Sequence, residues 1–495
     1  ISIPGRNVMV SEIRADHTLQ FLLPPAIDDW VPEDHMVRFI RDFVSSLDLH
    51  VLGFAQRVGN DGRPNYSNDL LLSVWLYGYM ERIRSHRKLE HACRTHLPLI
   101  WLTGMNYPDH NTLWRFWRDH KRAIRNVFRQ SVRVAQQLGM VGMVVHALDG
   151  SKIAVQTASK HGLHRDVLER LNAEIEASLH TIESALEKEA GINDPTNVLP
   201  DEFLELQQRK EAIRQALETL DKEEQKHYLP DEPEARMMHS HGHTQWSYNG
   251  QALVDDQAGI IVAQEVTNEA TDYQQLSPML EQAHETTSST AKYTVADCGY
   301  RNSEQEEQAH SKGHTVIVPE HGNEKDDGTA YHHERFTYDE DRDCYVCPHG
   351  NDLPYSCTTH EKRGHIVNTR VYRCRSYKTC PHRTQCSRAK FGRTIVRHEN
   401  HVAQQRRKEH LKDPEKRKAL ARRKAIVESV FGWIKENFGF RRFTAKGLEH
   451  AKAQWSMFCL VINLKKLYEV WKIIATGPDI QSRFGGHAMR TVSTL

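Results

Sequence analysis

No run of 18 apolar residues occurs anywhere in the 495-residue chain, which excludes a membrane-spanning helix. The opening residues Ile1-Ser2-Ile3-Pro4-Gly5-Arg6 form neither a signal peptide nor a basic amphipathic presequence. No methionine starts the chain, so at least one residue is expected before Ile1. Cysteine is scarce outside one zone: of nine, six lie between Cys344 and Cys386. An odd count without a leader argues against a disulfide framework and for a reducing compartment. Net charge is also nearly absent, since 66 Lys and Arg meet 65 Asp and Glu to leave +1. No repeat of about 20–50 residues appears, which excludes a solenoid or propeller.

What is present reads as a soluble globular chain, 39% hydrophobic and 26% charged. Its length suits about three domains at ~150 residues each. The balanced charge hides segregation. Residues 81–133 hold 12 basic and 4 acidic side chains, and residues 401–446 hold 14 and 5. Between them, residues 165–234 hold 8 and 19. Two basic zones imply a polyanionic partner, although either alone would read as a solvated helix face.

Residues 20–137 read as mostly helical, broken at Gly62-Arg63-Pro64. Residues 143–149 form a short apolar run ending in Asp149, which predicts a buried strand with a carboxylate at its C-terminal end; residues 151–156 continue it or pair with it. From Leu168 to Leu186 apolar residues recur every three or four positions, and Leu206 to Leu220 keep the rhythm. This predicts an antiparallel helical hairpin with coiled-coil packing. Two strands follow at 249–254 and 259–266, a helix at 271–285, and a strand at 294–297 ending in Asp297. A helix at 303–311 and a strand at 314–318 complete a mixed sheet. Residues 320–400 are polar and cysteine-rich, residues 402–439 read as long helix broken at Pro414, and a last helix runs from 448 to 473.

Two carboxylates therefore end separate strands of one sheet. A third, Glu428, lies on a helix whose stripe of Val427, Val430, Phe431 and Ile434 would pack on that sheet. Each acid alone reads as a cap or a surface group. Together they offer hard oxygens suited to Mg²⁺ or Mn²⁺. Two such ions about 3.5–4 Å apart can support phosphoryl transfer. Lys424 and Lys435, at i−4 and i+7 from Glu428, lie near its helix face and could contact phosphates. The basic run through Arg406, Arg417, Arg422 and Arg423 leads directly into this helix and suits a DNA backbone. Cys344-x2-Cys347 with Cys374, Cys380 and Cys386 could hold a structural Zn²⁺. The expected ligands are Cys347, Cys380 and Cys386, with Cys344 or Cys374 as the fourth; reduced thiols are the alternative. His239, His241 and His243 read as polar-face residues without a metal role.

The segment from Lys424 to Lys435, with Phe440-Arg441-Arg442-Phe443, Lys446-Gly447-Leu448 and Asn463-Leu464, resembles the catalytic helix region of bacterial insertion-sequence DDE transposases. Asp149-Gly150-Ser151-Lys152 resembles that family's first-Asp strand. Ala296-Asp297-Cys298-Gly299-Tyr300-Arg301-Asn302 resembles its second-Asp segment. The segments 248–252, 266–268 and 275–280 are similar to its middle strands and the helix after them. Gly62-Arg63-Pro64, the 85–90 segment and Pro108 to Thr112 are similar to the helical N-terminal domain common in such proteins. The ordered set spans most of the chain.

The resemblance implies an α+β multidomain protein with a ribonuclease-H-like core carrying a helical-hairpin insertion and a Cys-rich insertion. The implied boundaries are 1–140 for the helical DNA-binding domain, 141–164 and 235–320 for the first parts of the core, and 165–234 for the acidic hairpin. Residues 321–400 form the Cys-rich insertion, 401–475 the catalytic helix region and 476–495 a tail. Asp149, Asp297 and Glu428 become the metal triad, holding two Mg²⁺ or Mn²⁺ ions. Lys435, Lys424, Arg422, Arg423, Arg87 and Lys88 become DNA contacts, and the helices around 82–88 and 114–125 bind the element's terminal repeats. The implied reaction is hydrolysis at the ends of a mobile element, then attack of the freed 3′-OH on target DNA. The partners are inverted-repeat and target DNA and a second copy of the chain, in the prokaryotic cytoplasm near the nucleoid, with no small-molecule substrate. The sequence departs from the family signature in holding Lys424 where Arg is usual and Ala421 where Tyr is usual. A nuclease without strand transfer and a silent DNA-binding descendant are the alternatives.

Overall fold

The computed structural model describes residues 26–55, 65–189, 201–240, 242–319, 329–362, 366–398 and 401–476. The expected Gly62-Arg63-Pro64 break, His241, the hairpin tip and the 477–495 tail lie outside the described residues.

The described residues begin with six α-helices: α1 (Met36–Ser45), α2 (Asn68–Met80), α3 (His86–Thr95), α4 (Leu97–Leu102), α5 (His110–Asp119) and α6 (Lys121–Gln137). Residues Leu71 to Met80 of α2 are all buried, so α2 is a central helix. Helix α5 starts where Asp109 accepts hydrogen bonds from the amides of Asn111 and Thr112.

Strand β1 (Val145–Ala154) follows. Asp149 thus falls mid-strand and not at the C-terminal end expected from the apolar run. The extension is physical: Ile153, Ala154 and Val155 are buried and continue the ladder beyond the acid. Asp255, fully buried, fixes the strand's start by accepting from the amides of Gly142 and Met143. Next come β2 (Leu163–His164), α7 (Arg165–Glu189), α8 (Asp201–Lys222) and β3 (His227–Tyr228), with α7 packed against α8 and β2 paired with β3 at their feet.

The main sheet adds β4 (Arg236–Ser240), β5 (His243–Asp255) and β6 (Ile261–Thr267). Helix α9 (Leu276–Thr287) begins later than expected, because residues 271–275 form the loop that carries Asp272. Strand β7 (Tyr293–Val295), helix α10 (Ser303–Ser311) and strand β8 (Val316–Ile317) complete this part. The long strand β5 has antiparallel β1 along one edge and antiparallel β4 and β6 along the other. Beyond β1 the sheet turns parallel, to β7 and then β8. Ten successive residues of β5 are buried, so both its faces are covered.

Residues 337–398, read from sequence as a polar interruption, contain an antiparallel five-stranded sheet. Its strands are β9 (Thr337–Asp339), β10 (Cys344–Val346), β11 (Asp352–Lys362), β12 (Ile366–Arg373) and β13 (Thr394–His398); the short helix α11 (Arg383–Cys386) precedes β13. Its own small core is Phe336, Leu353, Tyr372, Cys374 and Ile395. Five buried residues leave little apolar alternation to read in the sequence.

Helix α12 (His401–Lys412) ends before Asp413, which caps α13 (Pro414–Gly432) while Pro414 occupies its first turn. A π turn, Trp433–Asn437, extends α13, and α14 (Leu448–Thr476) closes the fold. Helix α13 lies on β1, β5 and β7, and α14 lies on β6, α6 and α2. Apolar residues from the opening helices, the main sheet, α13 and α14 join one continuous core. Asn463 ties α14 to the sheet by accepting from the Ile261 amide and donating to its carbonyl, both at 2.9 Å.

Candidate active site

The parallel ladder between β1 and β7 sets Ala147 beside Val295. Two residues further along each chain, Asp149 stands level with Asp297. Asp149 accepts from the Gly150 amide at 2.8 Å and from Arg423 Nη1 at 3.1 Å. Burial raises its proton affinity above that of an ordinary carboxyl; Arg423 opposes this and the neighbouring Asp297 adds to it. Asp297 caps the short turn Cys298–Tyr300, accepting from the Gly299 amide at 2.8 Å.

A third carboxylate lies near this pair without closing on it, and sequence reasoning missed it. Asp272 Oδ1 accepts from Asn249 and Gln251 of β5, both at 2.7 Å, and from Lys152 of β1 at 3.1 Å. Buried Tyr300 donates to the other end of Gln251. Its phenol holds its proton well beyond the ordinary range, through burial first and then the charges of Asp272, Asp149 and Asp297. Gly150 leaves room for this network. A Cβ on it would lie 2.5 Å from Gln251 Nε2 and 2.7 Å from Asp272 Oδ1. No periodicity marks Asp272; the available signal was an acid directly ahead of a helix beside a polar strand.

Helix α13 presents its charged residues to several places. Arg423 reaches Asp149, whereas Arg422 pairs with Asp256 at 2.8 Å. Glu428 is exposed and faces Lys424 at 3.5 Å. It lies on α13 between Arg423 and Lys435. Lys435 is half-buried; burial lowers its proton affinity and the Asp149 charge partly restores it. Arg87 and Lys88 are exposed on α3.

Cys374 is part of the small core of the second sheet, and Cys347 and Cys386 border it. The Asn351 amide donates to Cys347 Sγ at 3.3 Å. Burial raises the Cys374 and Cys386 thiols, and Cys380 and Cys347 add to both. Strand alternation aims Tyr345 into that core, so the adjacent Cys344 faces the other way. His239 and His243 are exposed at the β4–β5 turn.

The donors at the two places differ in kind: carboxylate oxygens between β1 and β7, thiols in the second sheet. The first set suits a hard divalent cation and the second suits zinc. Among the described residues, however, no three such side chains close on one point. Glu428 in particular is turned to Lys424.

Residues 346–468 match the transposase DDE domain family, a span that holds Glu428, Lys424 and Lys435 and stops short of both aspartates. Residues 25–119 match a second family, described as Transposase domain (DUF772), which covers α1 to α5. No curated protein and no solved structure matches the chain. Two transposase families matched in this order along one chain support an insertion-sequence DDE transposase.

Proposed function

We propose that this chain cuts DNA at the ends of a mobile element and joins the freed 3′ ends to target DNA. One observation carries the reading. Asp149 lies on β1 and Asp297 two residues past the end of the adjacent parallel strand β7, with the Glu428 helix packed on both strands. The six-stranded order, with three antiparallel pairings and two parallel ones, supports a ribonuclease-H-like core. In that core the α7–α8 hairpin and the second sheet are insertions, and residues 1–140 are the helical DNA-binding domain.

Asp149 and Asp297 would hold Mg²⁺ or Mn²⁺, and Glu428 would complete the site after its side chain leaves Lys424. The cations supply an activated oxygen nucleophile and charge neutralisation at the phosphate. The protein's own groups do the rest. Arg423 counters the charge that burial makes costly on Asp149, Lys435 stands ready for a phosphate oxygen, and the Asp272 network fixes β5 against the turn that carries Asp297. The thiols of Cys347, Cys374, Cys380 and Cys386 would hold a structural zinc in the second sheet. Two element ends require two active sites, so the working unit is a homodimer.

The test is cleavage of DNA bearing the flanking inverted repeats in Mg²⁺, comparing the natural chain with Asp297→Ala. Cleavage and joined product, both lost in the variant, are expected. Cleavage without joining would leave a nuclease, and tight binding without cleavage would leave a silent DNA-binding protein. Cleavage that survives Asp297→Ala would overturn the site assignment.

A further inference from the structure

A cleft of about 750 Å³ opens between the N-terminal helices and the segment leading into α14. This is within the roughly 300–1,000 Å³ range of pockets that enclose small ligands. Its lining contains Arg82, Arg84, Lys88 and Lys446, and no acidic residue. That is unusual in a chain with 65 Asp and Glu. The Nε of Arg84 is buried and has no hydrogen-bond acceptor among the described residues. Its guanidinium lies 5.0 Å from the Phe458 ring centroid. One wall is aromatic. Half-buried Trp114 stacks on His450 at 5.6 Å and meets His86 at 5.7 Å. Burial holds both histidines toward the neutral form, which favours ring contacts over charge.

The cleft connects to the candidate active site through β1. Gln156, two residues past the end of β1, lines it. The Phe443 amide donates to the Ala154 carbonyl at 2.9 Å, which pins the cleft's Thr444 to Lys446 rim to that strand end. Asp149 lies seven residues back, on the order of 20 Å at ~3.3 Å per residue. A stacked DNA strand covers that distance in about six nucleotides at ~3.4 Å each.

We propose that this cleft binds one unstacked nucleotide of the DNA strand, its base against the Trp114 wall and its phosphate among Arg84, Lys88 and Arg82. The inference rests on the reading of the chain as a DNA enzyme. A paired base cannot present its face to a wall, so the ligand is single-stranded or locally opened DNA. Base–aromatic stacking is tolerant of sequence, so the site acts on structure and not on the repeat sequence.

The experiment measures binding of a five-nucleotide thymidylate strand to the full-length protein without metal, by quenching of tryptophan fluorescence and by competition. Trp114→Leu should weaken it about tenfold or more, the range of one lost base stack. Lys88→Gln, on an exposed side chain that the fold does not need, should weaken it and lower the salt slope by about 0.7, the value for one single-strand phosphate contact. Asp297→Ala should leave it unchanged. Thymidylate binding untouched by both cleft variants, or weakened by Lys88→Gln alone, would overturn the proposal. If the natural chain cuts repeat DNA yet does not bind the thymidylate strand, the cleft proposal fails and the proposed activity stands. If the strand binds with these sensitivities and no DNA is cut, the proposed activity fails and the cleft stands.

Discussion

Asp149 illustrates how one buried charge is managed. Its carboxyl holds a proton to higher pH than an unfolded chain's would, because burial and Asp297 both disfavour the anion. The sign of the linkage follows. The native state binds this proton more tightly, so ionising Asp149 costs stability at neutral pH, and that cost disappears as the pH falls through the raised value. Arg423 is the group that keeps the cost tolerable. The proposed cation binding needs the anion, so on that reading cleavage should fall on the acid side as Asp149 takes up its proton. Arg423→Ala removes the opposing charge, and the acid limb of the cleavage–pH profile should move to higher pH. An acid limb that stays in place while the overall rate drops would show that Arg423 serves the DNA and not the carboxylate. Asp149 and Asp297 were legible in the sequence because each closes a short apolar run. Arg423 was legible only as part of a basic stretch. Its role depends on which of two adjacent arginines faces the sheet, and helical phase at that resolution comes from packing. Asp272 left only a weak mark, an acid ahead of a helix, since its partners come from β1 and β5 and nothing local records them.

At the level of elements, the basic α12–α13 segment must be held over the sheet despite its mutual repulsion. Part of the hold is a buried ion pair. Arg407 of α12 donates to Glu306 of α10 at 2.9 Å, with side-chain exposures of 5% and 8%. Burial raises the Glu306 carboxyl, and Arg407 opposes it. Such pairs are costly to break and cheap to replace. Removing one partner strands a buried charge and costs about 3–5 kcal/mol, whereas an apolar pair of similar volume is often neutral. Arg407→Ala should therefore lower unfolding stability in urea by about 3 kcal/mol, and Arg407→Met with Glu306→Leu should recover most of it. A single variant as stable as the natural chain would mean that α12 is held by its other contacts. The sequence marked the helix break at Pro414 and the apolar face of α13, because both are local signals. It did not mark β9 to β13. Those strands are largely polar and bury only a small core, so the pairing that defines them is invisible before folding.

For the whole molecule, the α7–α8 hairpin stands apart in energy as well as in charge. Among its described residues the buried cluster is Leu168, Ala216 and Leu220, with Leu179 and Phe203 buried apart from it. Leu171, Ile175, Ile182 and Leu206 remain half-covered along its helices. Two helices alone leave such a seam open, and a second hairpin of the same kind would close it. The acidic surface argues against DNA as the cover. The hairpin is also removable by geometry. At its foot Leu163 pairs with Tyr228 and His164 with His227, so the chain enters and leaves on adjacent strands. Replacing residues 165–226 by an Asn-Gly turn between His164 and His227 would keep that ladder, because a two-residue turn is the natural closure of an antiparallel pair. The main core does not include the hairpin's buried residues, so the shortened chain should fold with a melting temperature close to that of the natural one. Light scattering should then give a dimer for the natural chain and a monomer for the shortened one. Cleavage of a single repeat end should persist, while joining of two ends, which needs two active sites in one complex, should be lost. A shortened chain that still scatters as a dimer and still joins ends would place the interface elsewhere.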